Sequence, residues 1–176
     1  KENSRKKTFK DDEKSITIAL TKGEKLMSKI FIYYSATGNG DAIASFLKQK
    51  GYAILKIDMV KPYGKSHFFK MLKYGKRALS HTREELAPYA MDLSPFDTVL
   101  IGSPIWGGSI SSPMYTFLKE NSFIGKNVLG IFYSMSGKAK KAPDELKSFY
   151  PEAKSIIIES PLDNLDEMKR LVDQVA

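Results

Sequence analysis

The sequence of 176 residues contains no cysteine and only two histidines, His67 and His81. The lack of cysteine excludes disulfides, thiolate zinc sites, cysteine-ligated iron–sulfur clusters and a cysteine nucleophile. Two histidines also argue against a multi-histidine metal site, so any redox chemistry requires an organic cofactor. No apolar stretch approaches the roughly 20 residues that span a bilayer, and the start has no signal-peptide hydrophobic region. We therefore expect a cytoplasmic protein that is not inserted in a membrane.

Acidic residues are too few to balance the basic ones. The chain has 28 Lys and Arg against 20 Asp and Glu, which gives a net charge of +8. A basic balance favours an acidic partner such as a nucleic acid, an anionic membrane or a phosphorylated ligand. Residues 1–28 are predicted to form a basic N-terminal extension, in which residues 16–20 could pair as an edge strand. Two interpretations of it stay open, an over-extended gene start and a functional basic arm.

From residue 29 onward, apolar strand-like runs alternate with amphipathic helical patterns, which predicts one domain over 29–176. Such alternation is typical of an α/β fold with a parallel sheet. Open parallel sheets bind ligands at the carboxyl ends of their strands, so function is to be sought in the loops after the first, third and fourth strands. The predicted strands are 30–34, 53–57, 98–101, 128–132 and 156–158, and the predicted helices are 43–51, 66–79, 114–119, 143–149 and 165–175.

The loop after the first strand reads Ser35-Ala36-Thr37-Gly38-Asn39-Gly40. Small residues at a strand-to-helix turn leave backbone N–H groups uncovered, and the helix dipole adds positive potential, which together favour phosphate. The loop is not a Walker loop, because no Gly-Lys-Ser/Thr follows, and the third glycine of a dinucleotide fingerprint is missing. A small-residue turn without a ligand is the alternative.

The loop after the third strand, residues 102–113, holds Trp106, the only tryptophan in the chain. It lies among glycine, proline and serine directly beyond a buried strand. A flat aromatic ligand stacked on the indole would gain about 0.5–1.5 kcal/mol beyond the burial of area. The alternative is that Trp106 folds back and packs against the body of the protein.

These two loops, with Tyr133-Ser134-Met135-Ser136-Gly137 after the fourth strand, resemble the three FMN-binding loops of the flavodoxin family, in its short-chain form. The resemblance implies a flavodoxin-like three-layer sandwich with a five-stranded parallel sheet of order 2-1-3-4-5, and non-covalently bound FMN. It implies no catalytic residue and no metal ligand. The residues that it assigns to the cofactor are Ser35, Ala36, Thr37, Gly38, Asn39 and Gly40 for the phosphate, and Pro104, Ile105, Trp106, Gly107, Ser134, Ser136 and Gly137 for the ring.

The chain departs from the family pattern in three respects. Gly40 stands where flavodoxins usually have threonine or serine, so one phosphate hydroxyl is lost although the backbone N–H remains. Residues 134–142 offer no tyrosine for the outer face of the ring, which leaves Trp106, or an aromatic residue of the second crossover (Tyr63, Phe68 or Phe69). Flavodoxins are typically acidic and this chain is basic. The resemblance also implies that a backbone carbonyl in the 106–108 turn swings towards the reduced flavin.

The resemblance predicts a carrier that moves one or two electrons between redox partner proteins. Two alternatives stay open: an FMN-dependent NAD(P)H:quinone-type oxidoreductase, and a non-redox interaction module. A basic and aromatic cluster at residues 61–77 is interpreted first as the solvated face of a helix, and second as a docking site for an acidic redox partner. We expect no nucleic-acid binding, and we expect His67 and His81 to be ordinary surface histidines.

Overall fold

A computed structural model of the protein describes residues 29–62 and 75–175. Its strands are β1 (Lys29–Tyr33), β2 (Ala53–Lys56), β3 (Thr98–Trp106), β4 (Ser109–Ile110), β5 (Asn127–Ser134) and β6 (Lys154–Glu159). Its helices are α1 (Asn39–Gln49), α2 (Ser112–Glu120), α3 (Ala142–Phe149) and α4 (Leu165–Asp173). Residues 75–79 are also helical. The predicted extension at 1–28 and most of the predicted helix at 66–79 lie outside the described residues.

Five of the strands form a parallel sheet in the order β2-β1-β3-β5-β6. Ile30 of β1 pairs with Ala53 of β2 on one side and with Val99 of β3 on the other. The short β4 lies off this path and pairs antiparallel with the end of β3. Since β5 and β6 are the fourth and fifth predicted strands, the predicted order 2-1-3-4-5 is confirmed.

Helices cover both faces of the sheet, because alternate side chains of each buried strand point to opposite faces. Ile32 lies on one face with Met114 and Phe117 of α2 and Leu146 of α3. Phe31 lies on the other face. The core on that face also includes residues from α1 and α4, namely Ile43, Leu47, Met168 and Val172. The arrangement confirms the predicted three-layer α/β sandwich.

The third strand continues five residues beyond its predicted end at Ile101. The predicted strand stops before Gly102, but in the structure Gly102 is a position of close packing within the strand. A Cβ atom there would lie within 2.6–2.7 Å of the Phe31 ring and the Tyr33 Cβ atom. The strand therefore passes through Gly102 and Pro104 to Trp106, and the residues predicted to form an open loop belong to a β-hairpin.

Within residues 29–62 and 75–175, no helix combines the length and the apolar character that a membrane crossing requires. The same residues contain no group of three His, Asp or Glu side chains placed to hold a metal ion.

Candidate functional site

The candidate site lies where the chain leaves the carboxyl ends of β1 and β3. These two strands are neighbours, but the helices that follow them, α1 and α2, pack on opposite faces of the sheet. The two loops therefore lead to opposite faces of the sheet, and the space between them, called the crevice below, is where an open parallel sheet usually binds its ligand.

Ser35 organises the loop that joins β1 to α1. Its hydroxyl accepts hydrogen bonds from the backbone N–H groups of Gly38, at 3.1 Å, and of Gly40, at 3.2 Å. Gly38 has a φ of +94°, which favours glycine. The Asn39 and Asp41 amides, which have no partner within the helix, and the exposed backbone of Ala36 and Thr37 remain to meet an anion.

Asn39 joins this loop to the segment that follows β6. Its side-chain amide donates to the Thr37 hydroxyl at 3.3 Å, and its carbonyl accepts from the backbone N–H of Leu162 at 3.0 Å. The Leu162 side chain also lies beside Gly38, 3.2 Å from the position of a Cβ atom there. The side chain of Asn39, a residue predicted to bind the phosphate, thus connects the loop to the segment after β6. Its backbone N–H is the donor that remains for a phosphate.

A negative side chain at the start of α1 is neutralised locally. Asp41 accepts hydrogen bonds from Lys56 Nζ at 2.7 Å and from the Tyr33 hydroxyl at 2.8 Å. Partial burial acts to raise the pKa of Asp41, but the hydrogen bonds from Lys56 and Tyr33 outweigh it and hold the pKa below its ordinary value. Burial, and the bond to Asp41, raise the pKa of Tyr33 well above its usual range. The loop can therefore accept a phosphate although it is followed by a carboxylate.

Gly40 is buried beneath the loop against two tyrosines. A Cβ atom on residue 40 would overlap the Tyr133 hydroxyl and would lie 2.8 Å from the Tyr33 ring. The Tyr133 hydroxyl donates a hydrogen bond to the carbonyl of Tyr34. Burial raises the pKa of Tyr133 far above its ordinary value, so the phenol stays protonated. The threonine or serine expected from the family pattern does not fit here.

The second loop is a tight hairpin whose tip is Gly107–Gly108. Trp106 pairs with Ser109, and the two glycines between them have φ values of +61° and +90°. Positive φ at both central residues is the conformation of a type I′ turn, the turn whose twist matches that of paired strands. The indole of Trp106 is half-buried and meets the Tyr34 ring edge to face, with 5.7 Å between centroids. It thus packs partly on the body of the protein and stays partly exposed.

The hairpin tip is anchored on both sides. The Gly108 carbonyl accepts hydrogen bonds from the backbone N–H groups of Lys141, at 2.9 Å, and Ala142, at 3.0 Å. On the other side, Gly107 lies against Gly75, whose backbone is 3.2 Å from the position of a Cβ atom on residue 107. The start of α3 therefore holds the Gly108 carbonyl in place, and the carbonyl swing that the resemblance implies stays a prediction for the rest of the 106–108 turn.

Glu145 of α3 fixes the returning strand of the hairpin. One carboxylate oxygen accepts from the backbone N–H of Ile110 at 2.8 Å, and the other lies 3.1 Å from His81 Nε2. The His81 ring stacks on Tyr115 with 4.0 Å between centroids. His81 therefore has a structural role at the hairpin, and His67 lies outside the described residues.

The third predicted loop is a short turn after β5. The Ser134 hydroxyl accepts from the backbone N–H of Lys138 at 3.2 Å and so closes the turn. Gly137 has a φ of +61° and lies beside Glu159. Met135 protrudes at the top of the turn with 79% of its surface exposed. Ser134, predicted to bind the ring, thus uses its hydroxyl within the protein.

All three predicted loops meet at the carboxyl ends of β1, β3 and β5, which are adjacent in the sheet. The candidate ring residues Tyr63, Phe68 and Phe69 lie outside the described residues. The sequence predicted no role in the site for Tyr34, Asp41 or Tyr133, although Tyr133 belongs to the third predicted loop. Tyr34 ends the apolar run of the first predicted strand and Tyr133 directly follows that of the fourth, so the pattern alone indicated core.

Comparisons with known proteins agree with this architecture. The family model described as Flavodoxin matches residues 28–172. A crystal structure of a proposed flavoprotein from Bacteroides uniformis ATCC 8492 has a TM-score of 0.64 at 22% identity, covering 84% of this chain and 98% of that one. A flavoprotein from Lactobacillus acidophilus NCFM, solved in complex with FMN, has a TM-score of 0.62 at 17% identity, covering 80% of this chain and 97% of that one. No curated protein sequence matches the chain.

Proposed function

The chain belongs to the flavodoxin family, and on that premise we propose that it binds FMN non-covalently and carries electrons between redox partner proteins. The observation that carries the proposal is the loop organised by Ser35. The Ser35 hydroxyl accepts hydrogen bonds from two glycine amides, and the neighbouring amides at the N-terminus of α1 stay open. A phosphate monoester is one of the anions that such a helix N-terminus binds.

The phosphate group of FMN would be held, without a lysine, by the backbone N–H groups that Ser35 leaves open, those of Ala36, Thr37, Asn39 and Asp41. The Asp41 carboxylate is no obstacle, because Lys56 and Tyr33 already bind it. Asn39 would keep the loop in place through the hydrogen bond that its side chain accepts from the backbone N–H of Leu162. The loop is therefore preorganised for an anion before any ligand arrives.

The isoalloxazine ring would lie between the hairpin and the turn after β5. Trp106, which packs edge to face on the buried Tyr34, would supply aromatic surface on one side, and the two glycines at the hairpin tip would allow close approach of the backbone to the ring. The turn after β5 holds no outer tyrosine of the kind that the family pattern leads one to expect, and its Met135 side chain is exposed. When bound, FMN supplies the electron chemistry, and the protein supplies binding, orientation and exclusion of water.

An FMN titration of the purified chain tests the proposal. We expect the flavin spectrum to change with one FMN bound per chain, and riboflavin, which lacks the phosphate, to bind more weakly. A control titration with Ser45→Ala, an exposed position on α1 away from the loop, is expected to match the wild type. A flavin spectrum that stays that of free FMN, with no flavin retained by the chain after gel filtration, would instead favour the non-redox interaction module.

The second candidate function is an FMN-dependent NAD(P)H:quinone-type oxidoreductase. It is favoured by the turn after β5, where residues 134–142 hold no aromatic side chain and Met135 is exposed, so that the outer face of the ring would be accessible. Steady-state oxidation of NADH or NADPH by the FMN-loaded chain, without an added reductase, would select this function over the carrier.

A further inference from the structure

Basic and apolar side chains surround the tip of the Gly107–Gly108 hairpin. On one side, residues 75–79 bring Gly75 and Leu79 against Gly107, with the Leu79 side chain 3.3 Å from the position of a Cβ atom there. On the other side, Lys140 lies beside Gly108 at 3.5 Å by the same measure. We call this region the hairpin-tip surface. Its members are Lys76, Leu79, Met135, Lys138, Lys140 and Lys141.

The four lysines of the hairpin-tip surface are exposed, and none forms an ion pair with another residue of the described part of the chain. Nearby acids do not cancel them. Three acids lie nearby against the four positive charges, namely Asp144, Glu145 and Glu159, and the Glu145 carboxylate faces inward, where it meets the Ile110 amide and His81. The hairpin-tip surface is therefore electropositive.

Stability of the fold does not explain these charges. Lys140 and Lys141 directly precede α3, where the helix dipole disfavours cations and where Ser, Thr, Asp or Asn is the usual cap. Two large apolar side chains in the same region are also exposed, Met135 by 79% and Leu79 by 47%. An apolar centre with a charged rim is the composition of a protein interface.

We propose that the hairpin-tip surface docks an acidic redox partner protein, with Leu79 and Met135 at the centre of the contact. The inference rests on the proposed function, because it places the partner where the flavin ring would be nearest. A protein is favoured over a small phosphate compound because the lysines are spread over both sides of the hairpin and do not converge on one point. Complementary charge would accelerate the encounter and make it dependent on salt.

The test is the rate at which a reduced plant-type ferredoxin, used as an acidic protein probe, reduces the FMN-loaded chain. The ferredoxin cluster loses one electron and the FMN gains it. The triple variant Lys138→Gln, Lys140→Gln, Lys141→Gln is expected to slow the reaction roughly tenfold at low ionic strength. The difference should largely disappear at about 0.5 M salt, where exposed charges are screened.

A matched triple variant controls for net charge. Lys48, Lys147 and Lys154 are exposed and lie near the opposite edge of the sheet, at the ends of α1 and α3 and at the start of β6. Their replacement by Gln removes the same charge and is expected to change the rate by less than about twofold. Equal slowing by both triples, or slowing by neither, overturns the docking surface.

The apolar centre is tested by Met135→Gln, with Ile124→Gln, also exposed, as its control. Met135→Gln is expected to slow the reaction at high and low salt alike, since apolar contacts are not screened, and Ile124→Gln is expected to leave it unchanged. No effect of Met135→Gln at any salt concentration removes the apolar centre from the proposal.

Failure of the proposed function can be recognised separately. Photoreduction of the FMN-loaded chain shows whether it accepts electrons at all. If it does, but ferredoxin reduces the wild type and both lysine variants at the same rate, only the docking surface is overturned. A chain that takes up no FMN overturns both. If the lysine triple abolishes NADPH oxidation but leaves ferredoxin rates unchanged, the lysines bind a nucleotide and the docking proposal is wrong.

Discussion

The Tyr133 hydroxyl fills the space next to Gly40 that a side chain at that position would need. The same hydroxyl binds the Tyr34 carbonyl, directly before the loop organised by Ser35. Tyr133 therefore packs beneath the loop, and because its hydroxyl occupies the space beside residue 40, that residue is a glycine. A missing phosphate hydroxyl in this chain is thus a result of packing and does not indicate a site that has lost its ligand.

Gly40→Ala is expected to lower the free energy of unfolding by about 1–3 kcal/mol, because the added methyl group overpacks a buried site. Tyr133→Phe removes the overlapping hydroxyl, so the double variant should lose less than the sum of the two single losses. The contact with the Tyr33 ring at 2.8 Å remains, so relief is incomplete. Urea unfolding of the four proteins measures the coupling, and strictly additive losses would contradict it.

Ser35→Ala is expected to weaken FMN binding about tenfold while affecting riboflavin much less, since the lost hydroxyl orders only the phosphate loop. Flavin titrations by fluorescence measure both affinities. Ser45→Ala, on the exposed side of α1, is the control. Equal weakening of FMN and riboflavin would place the role of Ser35 outside the phosphate site.

Gly107→Ala and Gly125→Ala separate backbone strain from contact at the hairpin tip. Both glycines have positive φ, +61° and +79°, but a Cβ atom on residue 125 meets nothing within 4 Å. Gly125→Ala is expected to cost about 1 kcal/mol of stability through strain alone. Gly107→Ala should cost more, because the Gly75 backbone must move, and it should also weaken FMN binding. Identical losses of stability, with FMN affinity unaffected by either change, would contradict this role of the tip.

Glu145→Ala is expected to expose the Ile110 amide to exchange, because the carboxylate is its hydrogen-bond acceptor. Glu145→Gln keeps an acceptor oxygen in place and should preserve most of the protection. Amide hydrogen exchange at Ile110, followed by NMR, provides the measurement. Unchanged protection in the alanine variant would show that the hairpin does not depend on α3.

The Asp41 pKa predicts a loss of stability in acid. Its folded-state pKa lies below the ordinary value, so its stabilising effect is complete above about pH 4 and disappears as the pH falls through the lower folded-state pKa. Asp41→Asn should be less stable than the wild type at pH 7 by under about 1 kcal/mol, since the ion pair with Lys56 is partly exposed. Urea unfolding at pH 7 and pH 3 should show this difference shrink, and a difference that stays constant would contradict the assignment.

The sheet could be predicted from the sequence because its strands are continuous apolar runs, as in residues 30–34. The hairpin was missed because β4 is only two residues long and carries no periodicity. The Gly-Gly pair at 107–108 was the available signal, since it is typical of a type I′ turn. Pro104 argued against a continuing strand, yet Ser103 and Pro104 pair in parallel with β5.

The phosphate-binding character of the loop could be predicted from the sequence because its residues are consecutive. The contact between Gly40 and Tyr133 joins positions far apart in the chain, so no local pattern could reveal it. The same holds for Asn39 and Leu162, and for Glu145 and Ile110. Such contacts form at the carboxyl ends of the strands, and they depend on how the assembled strands and helices pack against one another.

The central claim is that the loop beginning at Ser35 and the hairpin ending at Gly108 hold one FMN between them. A crystal structure of the chain grown with excess FMN tests it most directly. We predict the phosphate on the amides of Ala36, Thr37, Asn39 and Asp41, and the ring against the Trp106 side of the hairpin. Density for FMN elsewhere on the chain, or an empty crevice at saturating FMN, would contradict it.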